Sequence, residues 1–178
     1  MTTIDVFIHA LPERMLSSNA GSRSRRDPWS ISTAKMLLKG ETMAALQAVE
    51  LPKLQRVTAD VTLTHSGKRP KVADCPRCKP RIADGTYPSY ALPKDRTKPV
   101  PCVCYRPTDV GNIGGEVLKP ILDALTDLDV LVDDSVEYLT AVTLRIQRCT
   151  TIEQEGIRLV VQEIQDEGAE SLSVARSA

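Results

Sequence analysis

Residues 106–139 read RPTDVGNIGGEVLKPILDALTDLDVLVDDSVEYL. At about 100° per residue, Ile113, Val117, Ile121, Leu125 and Leu128 fall on one side of a helix, flanked by Leu118, Leu122 and Ala124. Asn112, Glu116, Lys119 and Asp123 fall on the other, and Asp109 sits just ahead of them. The pattern predicts a helix over 112–128 that buries an apolar stripe and presents an amide, two carboxylates and an ammonium together. A Glu–Lys pair on a solvated helix face is common and worth only tenths of a kcal/mol. Two features point further. Asp133 and Asp134 follow the apolar run VLV, where acids are costly unless solvated or neutralised by a cation. Gly114 and Gly115 each weaken a helix by about 1 kcal/mol relative to Ala, which suggests close approach of a backbone or a ligand. Pro120 removes a helical hydrogen bond, so the first turn is expected to be offset from the rest.

Outward from this segment, residues 3–10 (TIDVFIHA) and 57–64 (VTADVTLT) alternate apolar and polar side chains and read as strands. Residues 17–30 form a polar, basic loop. Residues 32–49 form an amphipathic helix, with Ser32 or Thr33 as N-cap. Residues 136–147 and 156–165 are strand-like and are expected to pair as a hairpin around 149–155. The order β-α-β, insertion, α-β-β predicts an α/β (α+β) fold: one domain over 1–165, a mixed sheet packed by two helices. A Pro/Cys-rich insertion at 66–108 interrupts it, and 166–178 is read as a flexible tail.

The chain has 178 residues, enough for one domain with a real core. It holds 23 Lys/Arg and 23 Asp/Glu. This neutrality hides an asymmetry: residues 1–108 carry 18 basic and 9 acidic side chains, and residues 109–178 carry 5 and 14. Two halves that attract each other in one fold would account for this. So would a basic half that binds a polyanion beside an acidic half that holds a divalent metal. No apolar run approaches the roughly 20 residues of a membrane span, and the start lacks the order of a signal peptide. Cytoplasmic residence is the expectation.

The segment 109–134 resembles the signature of the RusA family of Holliday junction resolvases. That signature has an Asp-x-Asp-Asn element, a Lys opening a helix that ends Asp-Ala-Leu, and an Asp-Asp pair. Asp109 and Asn112 match the first Asp and the Asn, KPILDAL (119–125) the Lys and its helix, and VDD (132–134) the acidic pair. Residues 3–50 and 136–165 match the family's opening and closing elements more weakly. The resemblance implies a Mg²⁺- (or Mn²⁺-) dependent endonuclease that acts as a homodimer on branched DNA, a four-way junction above all. It also implies a bacterial or phage-infected host cell. Asp109 and Asp134 would be the main metal ligands, Lys119 would stabilise charge on the phosphate, and Asn112 would hold a ligand or phosphate oxygen. Two departures stand out. The family's second Asp is Gly111 here, and about four extra residues, close to one helical turn, precede Lys119. That turn brings in Glu116, which is expected to supply the missing carboxylate; Asp133 or Asp123 could fill the same role.

The basic residues Arg23, Arg25, Arg26, Lys68, Arg69 and Lys71 are candidate phosphate contacts, together with Lys119. Ordinary solubilising loop charge would explain the first six equally well. The insertion holds 8 of the 12 prolines and four of the five cysteines. Cys75-Pro-Arg-Cys78 and Cys102-Val-Cys104 make a four-thiolate zinc site the expectation for a cytosolic chain; the alternative is a loop with free thiols. Two rival functions remain. One is a related flap or branched-DNA nuclease. The other is a non-catalytic DNA-binding zinc protein, which Gly111 favours.

Overall fold

The computed structural model describes residues 2–12, 28–67, 72–87, 92–94, 97–100, 102–104 and 115–164; at 28–30, 115 and 116 only the backbone is described. Four strands form one sheet: β1 (Thr3–Ile8), β2 (Val57–His65), β3 (Leu139–Arg148) and β4 (Gly156–Glu163). Three α-helices accompany them among the described residues: α1 (Pro28–Gln47), α2 (Cys78–Ala83) and α3 (Gly115–Asp127). The sheet is mixed, so the fold is α+β, as the element order implies.

The strand order is β1-β4-β2-β3. β4 runs antiparallel to both β1 and β2, and β3 runs parallel to β2. The expected β3–β4 hairpin is therefore wrong: β2 lies between the two. Apolar content explains the placement. β4 buries Ile157, Leu159 and Val161 at 0% exposure and takes a central position. β3 is rich in Thr, Arg and Gln and takes an edge. The connection 149–155 arches over the end of β2, where the amide of Cys149 donates to the His65 carbonyl (3.1 Å). The Glu155 carboxylate accepts from the Ser66 amide (2.9 Å) and hydroxyl (2.7 Å).

Alternation of side chains decides the two faces. Ile4, Val6 and Ile8 of β1, and Val57, Ala59, Val61 and Leu63 of β2, point into the core. The opposite face is mostly polar, with Phe7 exposed on it, and carries ion pairs, among them Arg158 Nε to Asp5 (2.9 Å) and Arg145 to Asp60 (3.4 Å). At the β3 edge, Val142 aligns with Ala59 yet stays 37% exposed.

Helix α1 begins at Pro28, so Ser32 and Thr33 lie inside it and neither is the N-cap. Proline suits a first turn, where its missing N–H would have had no partner. Every fourth residue of α1 is buried: Ala34, Leu38, Thr42 and Leu46. The Thr42 hydroxyl donates to the Leu38 carbonyl (2.8 Å), which satisfies the one polar group on that stripe. Helix α3 packs against α1, and Lys39 pairs with Asp127 (2.6 Å) where they meet. Val117, Ile121, Ala124 and Leu125 of α3 are buried. Pro120 is accommodated inside α3, also buried. The tail 166–178 lies outside the described residues.

Candidate functional site

The polar face of α3 and the loop that follows it build the acidic site. Asp129, with φ of 56°, ends the helix in the left-handed region, which Asp tolerates better than most residues. The amide of Val130 then donates to the Leu125 carbonyl (2.9 Å), and the chain reverses. Val130 and Leu131 are buried, but Val132 is 69% exposed, so the run before the acids is not wholly interior. Backbone bonds pin the loop: Leu54 donates to Val130 (2.8 Å) and Val57 donates to Tyr138 (2.8 Å). Asp133 and Asp134 are thereby carried back beside α3.

Lys119 Nζ donates to Asp123 Oδ1 (2.7 Å) and to Asp134 Oδ2 (2.8 Å). The amide of Asp134 donates to Asp133 Oδ1 (2.7 Å), which holds the second acid of the pair alongside. Hydrogen bonds to Asp123 first, and to Asp134, push the Lys119 ammonium above its ordinary range. The same ammonium holds the Asp134 carboxyl below the usual carboxylate range. All of these groups face water, so the pairs add little stability. Their importance is chemical: one ammonium and the two carboxylates of Asp123 and Asp134 meet at a solvent-accessible spot, with Asp133 next to Asp134 in the chain.

Glu116 lies in the first turn of α3, one helical turn before Lys119; its side chain, and all of Asp109 and Asn112, lie outside the described residues. So do Arg23, Arg25, Arg26, Lys68, Arg69 and Lys71. Asp123, read from sequence as part of the polar face of this helix and as a rival for the missing carboxylate, accepts from Lys119 together with Asp134.

The cysteines form a second centre. Cys75, Cys78, Cys102 and Cys104 bring their sulphurs within 4.8 Å of one another. Three of the separations are 3.8 Å (Cys75–Cys104), 3.6 Å (Cys78–Cys102) and 3.7 Å (Cys78–Cys104). A tetrahedral zinc–thiolate centre with bonds of about 2.3 Å has edges of about 3.8 Å, so the spacing fits that donor set. Cys75 and Cys78 are each 1% exposed. The hydrogen bond with Cys104 lowers the Cys102 thiol from its ordinary range. Burial and the neighbouring sulphurs push the Tyr87 hydroxyl up. These four cysteines could bind a metal such as zinc.

What surrounds this centre has no signal in the sequence. Arg77, inside the first cysteine pair, donates to the Leu11 carbonyl (3.3 Å) and pairs with Glu41 of α1. Among the described residues, no helix is long and apolar enough to cross a membrane. Compared with models of known protein families and with curated proteins, the chain matches none.

Proposed function

We propose that this protein is a metal-dependent endonuclease of the RusA kind that cuts branched DNA, above all the four-way junction. The observation that carries the reading is the meeting of Lys119 and Asp123 on α3 with Asp134 from a separate loop. These are the residue types that phosphodiester cleavage needs, and they meet in the segment that carries the family resemblance.

Magnesium takes oxygen ligands and keeps several waters, so a few carboxylates suffice to hold it. When bound, it supplies polarisation of the scissile phosphate and a water of lowered pKa. Asp134 and Asp109 would hold it, with Glu116, Asp133 or Asp123 completing the set. Lys119 remains an ammonium at neutral pH because its carboxylate neighbours favour the charged form. It is therefore ready to neutralise charge that develops on the phosphate or the leaving oxygen. Asn112 would orient an oxygen of the ligand set. In this reading zinc occupies the four-cysteine centre as a structural ion and takes no part in cleavage. A four-way junction has two-fold symmetry, so a homodimer would place two such sites on opposing strands.

The test is cleavage of a synthetic four-way junction with Mg²⁺. Wild-type protein should nick it in symmetric pairs, and Asp134→Asn should lose cleavage while still shifting the junction on a gel. Wild-type protein that binds the junction without cutting it would favour a non-catalytic DNA-binding role. Faster cutting of flaps than of junctions would reassign the substrate.

A further inference from the structure

The insertion and the domain it interrupts share one interior. Cys75, Cys78, Tyr87, Val103 and Cys104 belong to the same buried core as Ala10, Leu11, Ala34 and Leu38. Residues 72–87 contribute no strand to the sheet, so no backbone ladder holds them there. Arg77 does part of that work. It lies between two of the cysteines, and its guanidinium grips the chain leaving β1, at Leu11, and Glu41 on α1. The knuckle that presents two sulphurs is thus also the one docked on the domain. Residues 102–104 bring the other two sulphurs to it. Thiols are weak hydrogen-bond donors, and by themselves four of them at these separations would supply little cohesion.

We propose that a zinc-class ion in the four-cysteine centre is a structural member of the whole domain. It staples 72–87 to 102–104 and, through Arg77 and the shared apolar core, holds both on β1 and α1. Metal binding is then coupled to the folding of the entire domain, not to that of a detachable module. Each thiol that ligates gives its proton to solvent. Arg77, Lys79 and Arg81 stand on the same short segment as Cys75 and Cys78, so the chain around the thiolates carries charge of the opposite sign. The proposal does not depend on nuclease activity, because it rests only on the sulphur geometry and the shared core.

The experiment uses the full chain. Purified protein should carry one zinc per chain, and exchange with Co²⁺ should produce thiolate-to-cobalt charge-transfer absorption. Stripping the metal under reducing conditions should lower the midpoint of thermal unfolding by about 10 °C or more. It should also expose the amides of β1 and of residues 34–46 to hydrogen exchange, together with those of 72–87, and added zinc should restore protection. Cys102→Ser removes the most accessible ligand and leaves three thiolates, so this variant should fold with zinc in excess and lose the metal on dialysis. Three results would overturn the proposal: protein that neither carries zinc nor takes up cobalt; stripped protein in which only 72–104 opens while β1 and α1 stay protected; or disulfides among these cysteines in the folded protein.

Discussion

Lys119 Nζ lies 2.8 Å from Asp134 Oδ2, although fifteen residues separate them in the chain. Helix α3 supplies one partner, and the reversal at Asp129 returns the other. With Asp123 as the second acceptor, the ammonium occupies a position between two carboxylates.

The first prediction concerns pH. Asp134 has its carboxyl lowered from 3.8, chiefly by the hydrogen bond from Lys119. A depressed carboxyl contributes its stabilisation fully above its unfolded value and loses it as pH falls through the lowered one. The contact should therefore be intact at neutral pH and vanish only in strong acid. In Lys119→Met the Asp134 carboxyl should titrate closer to 3.8, as followed by its carbon-13 chemical shift. An unchanged titration would mean that the ion pair does not form in solution.

Glu116→Gln tests the replacement of the acid missing at Gly111. Under the nuclease reading this variant should lose Mg²⁺-dependent cleavage by on the order of a hundredfold, with junction affinity within about twofold of wild type, since one neutral carboxylate mimic alters few phosphate contacts. Near-normal cleavage would pass the role to Asp123 or Asp133.

Two glycines should respond oppositely to alanine. A Cβ at Gly156 would meet the Phe7 ring at 2.5 Å and the Ile8 carbonyl at 2.6 Å. Gly156→Ala should cost about 1–3 kcal/mol by overpacking. Gly40 lies on the exposed side of α1, and a Cβ added there would meet nothing within 4 Å. Gly40→Ala should therefore stabilise by about 0.5–1 kcal/mol. Chemical denaturation of the two variants beside wild type measures both.

If Arg23, Arg25 and Arg26 each contact a phosphate, replacing all three by Ala should reduce the steepness of log affinity against log salt by about 3. A slope equal to that of wild type would leave them as solubilising charge.

Much of the fold is legible in the chain itself. The alternation in TIDVFI and VTADVTLTH gives β1 and β2, and the apolar stripe of 117–128 gives the buried face of α3. The start of α1 is less legible, because the helix begins at Pro28, ahead of its apolar periodicity. The hairpin expected from β3 and β4 fails for a different reason. Short-range patterning records which residues alternate, but the partner of a strand is chosen by competition for burial, and β4 takes the place beside both β1 and β2.

The same division holds for the candidate site. Sequence by itself placed Lys119 and Asp123 on one helical face, because helix geometry is local and fixed by spacing. It likewise picked out the four cysteines by number and spacing. Only the tertiary structure decided that Asp134 meets Lys119, because that contact depends on a left-handed residue at 129 and on backbone bonds from Leu54 and Val57. It also decided that the cysteine insertion shares the interior of the domain. Those contacts join residues far apart in the chain, and they form only where the burial of apolar side chains brings the segments together.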